Sequence, residues 1–457
     1  MRTVTGIVRR RAELERPVEG VADLVHYFRV AEKPRPEWRV GTEHEKFGLH
    51  RQDLRPVAYE GPGGIRELLE AIAERDGWQR FYEGSHLVAL EKEGSGSITL
   101  EPGCQVELSG VPLRSTFETC DEFHRHLGLV REVSEPRGLV WLGLGMQPFC
   151  GVEEMPRVPK QRYAIMREYL PRRGELALEM MHCTATVQAN FDYADEADMV
   201  AKMRTALSVT SIVSAIFANS SLSRGKPNGF VSRRMHVWTR TDPDRTGLLP
   251  FAFDEDFGYE AYARWALSVP MFFIYRDGVY RPAAGMTFRE FVERGFEGER
   301  PTLMDFDLHL TTLFPEVRLK GFIEVRGADA VPPGLTCAVP ALWKGLLYDR
   351  TAAEEARELV RGWDARTREE AHHAVAREGL RARVGGRPML ELARDLVGIA
   401  DRGLARISEG GERDERRFLD PVREQLELGK SPGEVVLESF EGAWGRSPRR
   451  LIEYARY

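Results

Sequence analysis

The stretch Val40-Gly-Thr-Glu-His-Glu-Lys-Phe-Gly48 carries two carboxylates two residues apart in a short segment that glycines bound. Side chains alternate between the two faces of a β-strand, so Glu43 and Glu45 are predicted to point the same way. Two neighbouring anions repel each other, and either solvent or a bound divalent cation relieves the repulsion. This stretch alone is equally compatible with a solvated strand face and with a metal site.

The same alternation recurs in three other strand-like segments. They are Gln105-Val-Glu-Leu108, Thr184-Ala-Thr-Val-Gln-Ala-Asn190 and residues 316–326. Each segment carries ionic or amide side chains on one face and apolar or small ones on the other. This pattern is typical of an antiparallel sheet with one face against a core. Periodicity does not decide whether the other face meets solvent or lines a cavity.

Composition argues against several classes of function. The chain has 457 residues, of which 42% are hydrophobic, so it can bury a large core and is globular rather than disordered. Lys and Arg number 65 against 71 Asp and Glu, which gives a formal net charge of −6. No overall basic field favours nucleic acid or an anionic membrane, and a polyanionic ligand therefore needs local cations or a metal.

The cysteines and the N-terminus bear on the cellular compartment. The five cysteines are an odd number without a Cys-x-x-Cys pair, which favours a reducing compartment and argues against a zinc knuckle. The first ten residues lack an apolar core long enough for a signal peptide. The most apolar helical segment, near 199–218, is interrupted by Lys202 and Arg204, so we predict no membrane span. We expect a cytoplasmic protein.

Helical patterns surround the predicted strands. Helices are predicted near 65–77, 115–135 and 195–218, and Gly94-Ser-Gly-Ser97 is predicted to be a hairpin turn. His124 and His126 are two residues apart on the second helix, which is the wrong spacing for two ligands on one face, so we predict surface positions for both. We interpret residues 1–348 as the main body with a helical lead-in, and residues 349–457 as a helical region packed on the same domain.

Two basic segments are candidate anion sites. Arg162 and Tyr163 begin a short helix rich in cations, and a helix N-terminus favours anions. Arg234 and Arg245 belong to a segment that concentrates guanidinium groups in an otherwise acidic protein. Guanidinium groups bind carboxylate and phosphate oxygens through two parallel hydrogen bonds. Both segments are also explained as ordinary salt-bridged surface.

Several long motifs follow one another in a fixed order between residues 20 and 350. They are Gly41-Thr-Glu-His-Glu-Lys-Phe-Gly48, Leu100-Glu-Pro-Gly-Cys-Gln-Val-Glu-Leu-Ser-Gly110, Arg162-Tyr-Ala-Ile-Met166, Cys183-Thr-Ala-Thr-Val-Gln-Ala-Asn190, Trp238-Thr-Arg-Thr-Asp-Pro-Asp-Arg-Thr-Gly247, Phe314-Pro-Glu-Val-Arg-Leu-Lys320 and Glu324-Val-Arg-Gly-Ala-Asp329. In this order they resemble the motifs of the glutamate–cysteine ligases of the plant and proteobacterial type.

This resemblance implies a glutamine-synthetase-like carboxylate–amine ligase fold. That fold is α+β, with a mostly antiparallel sheet whose concave active-site face is covered by helices, and residues 1–348 would be its catalytic body. The implied reaction is ATP-dependent joining of the γ-carboxylate of glutamate to the amine of cysteine through a γ-glutamyl phosphate, the first step of glutathione biosynthesis. The implied cofactors are ATP and Mg²⁺, with Mn²⁺ as an alternative metal. We expect small-molecule substrates, no nucleic-acid or membrane partner, and a monomer or weak homodimer.

The resemblance and the chemistry together assign the metal and phosphoryl-transfer residues. The expected metal ligands are Glu43, Glu45, Glu107, Glu324 and Gln188. Arg326, two residues from Glu324 on the same strand face, is expected to stabilise the transferring phosphoryl group. Because we place Glu324 on an exposed face, we expect Glu324→Ala to abolish phosphoryl transfer and leave the fold intact.

The same reasoning assigns the substrate-binding residues. Arg234 is expected to clamp the α-carboxylate of glutamate, with Arg245 close to the same site. Arg162 and Tyr163 are expected to line the amino-acid pocket. The amine pocket has no recognisable motif, so two alternatives stay open: a related ligase that joins glutamate to a different amine, and a ligase that serves another thiol pathway. A non-catalytic nucleotide or amino-acid binding protein is disfavoured, because every ionic residue of the four strands is present.

Three cysteines deserve comparison with the family. Cys104 stands where the Pro-Gly-x-Gln turn of the family usually has glycine. Plant members are regulated through disulfides, and Cys120 and Cys337 lie in blocks that resemble cysteine-bearing plant segments. A bridge between these two cysteines is therefore an alternative, but we expect free buried thiols in a cytoplasmic protein.

Overall fold

A single large antiparallel sheet organises the structure. The computed structural model describes residues 11–283 and 285–457, so the prediction that the first ten residues form no signal peptide lies outside the described residues. The strands are β1 (Val40–His50), β2 (Gln79–Glu83), β3 (His86–Lys92), β4 (Gly96–Leu100), β5 (Val106–Ser109), β6 (Leu139–Leu142), β7 (Val187–Phe191), β8 (Leu222–Ser223), β9 (Lys226–Pro227), β10 (Thr246–Gly247), β11 (Phe273–Arg276), β12 (Val279–Pro282), β13 (Phe314–Pro315), β14 (Val317–Leu319), β15 (Ile323–Val325), β16 (Arg383–Val384) and β17 (Arg387–Pro388). Nine of them form the central sheet in the order β14-β15-β7-β1-β5-β4-β3-β2, with β6 paired to the end of β1.

β1 is the strand predicted from the opening stretch, and it holds the sheet together. Residues 40–44 pair with β7, residues 43–46 with β5, and residues 47–50 with β6, all antiparallel. The other predicted segments are found in β5, β7 and the β14–β15 pair. Residues 316–326 form a hairpin rather than one continuous strand, because Gly321 and Phe322 turn the chain between β14 and β15.

Helices cover the sheet and build the rest of the molecule. They are α1 (Arg11–Leu14), α2 (Val21–Arg29), α3 (Ile65–Asp76), α4 (Thr116–Ser134), α5 (Gln161–Tyr169), α6 (Ala177–Cys183), α7 (Glu196–Ile216), α8 (Arg233–Trp238), α9 (Tyr259–Ser268), α10 (Phe288–Arg294), α11 (Leu303–Leu310), α12 (Pro333–Thr336), α13 (Ala338–Leu347), α14 (Arg350–Leu359), α15 (Ala365–Glu378), α16 (Met389–Glu409), α17 (Asp420–Leu428), α18 (Pro432–Glu441) and α19 (Pro448–Ala455). The helices α3, α4 and α7 confirm the three that periodicity predicts. The predicted hairpin turn joins β3 to β4, where Gly96 adopts the left-handed φ of +79°.

α4 packs on the face of β1 that the two glutamates do not occupy. The rings of His44 and Phe123 lie 4.6 Å apart, and the ammonium of Lys46 lies 3.0 Å from Nε2 of His126. His126 is therefore buried, and its predicted surface position is wrong; His124 is exposed as predicted. The spacing argument excludes a shared ligand face correctly, but it says nothing about which of the two faces meets the sheet.

α7 is the central core helix. Among the described residues it is the one helix long and apolar enough to cross a membrane by length and composition, and 83% of its most apolar window is buried inside the fold. Its Met199, Met203, Leu207 and Ile212 belong to the main core. The apolar surface of α7 is thus accounted for by packing.

The region after residue 349 consists mainly of helices, and its last two helices, α18 and α19, pack directly on β1 and β6 of the central sheet. α14, α15 and α16 pack on α7, and α16 also packs on α13 and α14. A two-residue hairpin, β16 and β17, interrupts this region. The boundary at residue 349 itself stays a prediction.

Cys120 on α4 and Cys337 before α13 form a disulfide, with their Cα atoms 5.5 Å apart. The expectation of free thiols for this pair is therefore wrong, because tertiary packing brings α4 and the start of α13 within bridging distance. Cys104, Cys150 and Cys183 are free. Cys104 has a φ of 65°, the left-handed conformation that explains why glycine suits this turn.

Candidate active site

A cavity of about 870 Å³ lies on the open face of the central sheet. Strands β1, β5, β7 and β14 and helices α5 and α8 contribute its lining. The cavity brings together most of the predicted site residues, namely Glu43, Glu45, Glu107, Gln188, Arg162, Tyr163, Arg234 and Arg326. Two predicted residues, Glu324 and Arg245, do not line it.

The register of the sheet explains how the carboxylates meet. Directly opposed residues in an antiparallel pair place their side chains on the same face. Glu45 is opposite Glu107 of β5, and Glu43 is opposite Gln188 of β7. A sequence spacing of two residues within β1 therefore becomes a row of three carboxylates across neighbouring strands.

The three carboxylates of this row have no ion-pair partner within the described residues. Glu43 accepts hydrogen bonds from Gln188 Nε2 at 3.1 Å and Asn190 Nδ2 at 2.9 Å, and Glu45 accepts one from the backbone N–H of Thr186 at 3.0 Å. Burial, reinforced by repulsion between the carboxylates, raises the pKa of Glu43 and of Glu107 to about 7 and that of Glu45 well above its usual range. A site with this charge and these oxygen donors fits a hard divalent cation such as Mg²⁺ or Mn²⁺.

Gln188 is oriented toward a different partner. Its Oε1 accepts a hydrogen bond of 2.6 Å from Arg326 Nη1. The amide oxygen that we predict to be a metal ligand is therefore engaged by a guanidinium group. In this arrangement Gln188 links the carboxylate row to Arg326.

Glu324 does not fit the predicted role of metal ligand. It is fully buried, and its oxygens accept from Arg318 Nη2 at 2.7 and 2.8 Å, from Lys320 Nζ at 2.8 Å and from Arg326 Nη1. Burial alone would raise the pKa of Glu324, but the three cations outweigh burial and hold the pKa well below its usual range. Glu324 therefore orders a group of cations instead of presenting a free carboxylate to a metal.

Arg318 and Lys320 are functional candidates that the sequence reasoning missed. Both line the cavity beside Arg326, and both stand in a motif quoted above. The sequence does contain a pattern that indicates them, since Arg318 and Lys320 are two residues apart and precede the glycine of a hairpin turn. Arg318 lies directly opposite Glu324 in the β14–β15 register. This pairing follows only when residues 316–326 are recognised as a hairpin.

Arg162, Tyr163 and Arg234 form another part of the cavity wall. Arg234 Nη2 donates to the carbonyl of Arg326 at 3.0 Å, and Tyr163 Oη donates to the carbonyl of Leu100 at 2.7 Å. The Nε atoms of Arg162 and Arg234 are buried without a hydrogen-bond partner. Buried donors without an acceptor are rare and costly, so these two guanidinium groups fit an anionic ligand.

Arg245 is a structural residue, which corrects its predicted place in the substrate pocket. Its side chain is fully buried, pairs with Asp242 at 2.7 Å, and donates to the carbonyls of Thr312 and Pro270 at 3.2 and 2.8 Å. Of the arginine-rich segment, Arg234 is the member that lines the cavity. The adjacent Arg233 pairs with Glu179 because successive residues of a helix point about 100° apart.

Comparisons with known proteins agree with this site. The family model described as glutamate–cysteine ligase family 2 matches residues 39–453. The chain is 45% identical over 438 residues to the chloroplastic glutamate–cysteine ligase of Nicotiana tabacum, covering 95% of this chain and 82% of that protein. It is 46% identical over 438 residues to the chloroplastic enzyme of Brassica juncea, covering 95% and 84%.

The chloroplastic origin of these relatives contradicts the cytoplasmic location that we predicted from the cysteine content. Cysteine usage responds to redox conditions. It does not distinguish one reducing compartment from another. The cysteine content therefore did not justify the prediction of the cytoplasm in particular.

The fold is also shared with a solved structure. The glutamate–cysteine ligase of Francisella tularensis in complex with AMP superposes with a TM-score of 0.52 at 11% identity, over 92% of this chain and 87% of that one. The predicted α+β ligase fold is thereby confirmed. Because the family model and the plant relatives match almost the whole chain, the protein belongs to glutamate–cysteine ligase family 2.

Proposed function

We propose that the cavity on the central sheet is where this glutamate–cysteine ligase activates glutamate with ATP. The observation that carries the proposal is the juxtaposition of two opposite charge groups. The carboxylate row Glu43, Glu45 and Glu107 stands beside the cations Arg318, Lys320 and Arg326 in one cavity. Such a cavity can hold a metal-bound triphosphate on one side of the reacting carboxylate and neutralise it from the other.

The carboxylate row would hold the divalent cation, with Glu43, Glu45 and Glu107 as its protein ligands. When bound, Mg²⁺ supplies charge neutralisation of the triphosphate oxygens. The raised pKa values of these carboxylates support the assignment, since burial and mutual repulsion disfavour their charged forms and a bound cation would stabilise those forms. Glu324 and Gln188 are left out of the ligand set, because their oxygens already accept from cations.

Arg326 would stabilise the phosphoryl group during transfer. A carboxylate oxygen of glutamate attacks the γ-phosphorus of ATP, the bond from phosphorus to the β,γ-bridging oxygen breaks, and ADP leaves. The negative charge on the transferring group is met by guanidinium donors that Glu324 and Gln188 hold in place. The amine of cysteine then attacks the acyl carbon of the glutamyl phosphate, inorganic phosphate leaves, and the amine loses a proton.

Arg234 and Arg162 would bind the α-carboxylate of glutamate. Their buried, unpartnered Nε atoms provide donors for it. The ring of Trp238 also lines the cavity and lies 5.9 Å from Cζ of Arg234 and 5.7 Å from Cζ of Arg326, so both guanidinium groups are near the same aromatic ring.

The experiment that tests the proposed function is ADP release by the purified protein with ATP, Mg²⁺ and glutamate, with and without cysteine. Cysteine-dependent ADP release with γ-glutamylcysteine identified by mass is the expected result. If ADP forms with glutamate but cysteine adds nothing, activation of the carboxylate survives and a different amine is the substrate. No ADP release under either condition would contradict the assignment of the cavity.

Arg234→Lys is expected to raise the KM for glutamate about tenfold with little change in turnover at saturation, because lysine keeps the charge but loses the planar fork. Steady-state kinetics with varied glutamate measure the effect. The matched control is Arg233→Lys, since Arg233 is adjacent in sequence but pairs with Glu179 at 3.0 Å outside the cavity. Equal KM values in the two variants would remove Arg234 from the substrate clamp.

A further inference from the structure

A second cavity, of about 400 Å³, lies where the C-terminal helices α14 and α15 meet α7. It shares no lining residue with the cavity on the sheet. Its lining includes Arg204 and Ser208 of α7, Arg357 of α14 and Arg368 of α15. The core helix α7 and the two consecutive helices α14 and α15 therefore direct basic side chains into one space.

None of these three arginines is ion-paired to another described residue. Arg204 donates only to backbone carbonyls, those of Ala252 at 2.9 Å and Asp254 at 2.6 Å. Arg357 donates through Nη1 alone, to Thr205 Oγ1 at 2.6 Å and to the carbonyl of Ala201 at 3.4 Å. Nη1 of Arg204 and both Nε and Nη2 of Arg357 are left available.

Arg368 is held in place without any hydrogen bond. Its guanidinium group lies 3.7 Å above the ring of Phe253, and its Nε is buried without a partner. Stacking fixes the plane of the guanidinium group and leaves its donors free. Ser208 is buried and also lines this cavity.

The positive charge of this cluster is only partly compensated nearby. Glu354 and Glu358 also line the cavity, but they pair with Arg350 at 3.0 Å and with Arg361 at 3.1 Å. Burial lowers the pKa of Arg357, and the repulsion from Arg204 adds to this effect, whereas the attraction of Glu354 opposes it. Half-buried like charges with free donors are costly unless an anion joins them.

We infer that this second cavity binds a small phosphate-class oxyanion between Arg204, Arg357 and Arg368, with Ser208 as a further donor. A phosphate group matches the site better than a carboxylate, because its three or more oxygens and its charge near −2 meet donors that converge from three helices. The inference is independent of the proposed function of the sheet cavity. Free phosphate and the phosphate group of a metabolite share this chemistry.

The test compares Arg368→Gln with Arg366→Gln by calorimetric titration of inorganic phosphate into the full-length protein. Arg366 is the matched control, since it lies two residues away on α15 with 86% of its side chain exposed. Loss of one charge-assisted contact is expected to weaken one phosphate site about tenfold or more in Arg368→Gln and to leave Arg366→Gln unchanged. Turnover at saturating substrates should be equal in both variants, which separates this site from the sheet cavity.

Two further variants, a second ligand and a soaked crystal complete the test. Arg357→Gln repeats the test from another helix in case Arg368→Gln does not fold. Glu354→Gln should tighten phosphate binding, because it removes a negative charge from the lining of the cavity. Repeating the titration with glycerol 3-phosphate distinguishes the sources: tighter binding than that of phosphate indicates a phosphorylated metabolite, and equal or weaker binding indicates free phosphate. Equal phosphate affinity in wild type, Arg368→Gln and Arg357→Gln, or a selenate-soaked crystal without anomalous density between these arginines, would overturn the inference.

Discussion

Glu107→Gln is expected to lower turnover about 1000-fold, which corresponds to roughly 4 kcal/mol of lost transition-state stabilisation. Glu107 lies opposite Glu45 in the sheet register and belongs to the proposed ligand set of the divalent cation. The amide keeps the size of the side chain but removes its charge, so the metal-bound triphosphate is held less firmly. Turnover measured across a range of Mg²⁺ concentrations reports the loss.

The same substitution should stabilise the metal-free protein. Because the pKa of Glu107 is raised to about 7 by burial, the folded protein prefers the protonated carboxyl. Wild type therefore loses stability as pH rises from the usual glutamate value of about 4.3 through about 7. The variant lacks this loss, so its advantage should be absent near pH 4 and reach on the order of 3 kcal/mol at pH 8.

Chelator-treated protein, unfolded by urea at pH 4 and at pH 8, provides the stability measurement. The control is Glu70→Gln, because Glu70 is a surface residue paired with Arg66 at 3.2 Å. This control should change neither turnover nor the pH dependence of unfolding. A Glu107→Gln protein with normal turnover, or one that is less stable at pH 8 than wild type, would contradict the metal assignment of the carboxylate row.

The alternating pattern predicted which face of each strand carries the chemistry, but not which strands are neighbours. Glu43 and Glu45 share a face because of a spacing that is visible in the sequence. Their meeting with Glu107 and Gln188 depends on β1 lying between β5 and β7, and this order is set by the packing of the whole chain. The resemblance to known ligases supplied that missing long-range information.

The roles of the arginine side chains were the hardest to assign from the sequence. Arg234 and Arg245 stand in the same basic segment, yet Arg234 lines the cavity and Arg245 is enclosed by Asp242 and backbone carbonyls. Both guanidinium groups lie near a buried carboxylate, Asp242 at 2.7 Å for Arg245 and Asp329 at 3.9 Å for Arg234, and the sequence does not show which of the two also reaches the cavity. Such pairing depends on tertiary contacts, as with the burial of His126 against Lys46.

Glu324 shows how a local misreading changes a prediction. Read as part of one long strand, residues 316–326 place Glu324 on an open face with a free carboxylate. Read as a hairpin, they place it opposite Arg318 and within reach of Lys320. The turn at Gly321 was the available signal, and it converts an expected metal ligand into the centre of an ion-pair network.

Glu324→Ala is therefore expected to lower the free energy of unfolding by about 3–5 kcal/mol, in contrast to the intact fold expected from the sequence. Glu324 is fully buried, and its removal leaves Arg318, Lys320 and Arg326 as like charges without their common partner. Breaking a buried ion pair from one side is far more costly than the pair is favourable, because the remaining charges stay desolvated. Urea unfolding at neutral pH measures the loss.

The matched control is Glu260→Ala, which removes a glutamate paired with Arg264 on the surface, where 57% of the glutamate side chain is exposed. Surface pairs of this kind contribute about 0–1 kcal/mol, so the control should unfold almost as wild type does. Loss of turnover in Glu324→Ala is expected whether Glu324 binds the metal or holds the three cations in place. The free energy of unfolding distinguishes these two roles. A Glu324→Ala protein as stable as the Glu260→Ala control would show that the cations find other partners, and would return Glu324 to the list of candidate metal ligands.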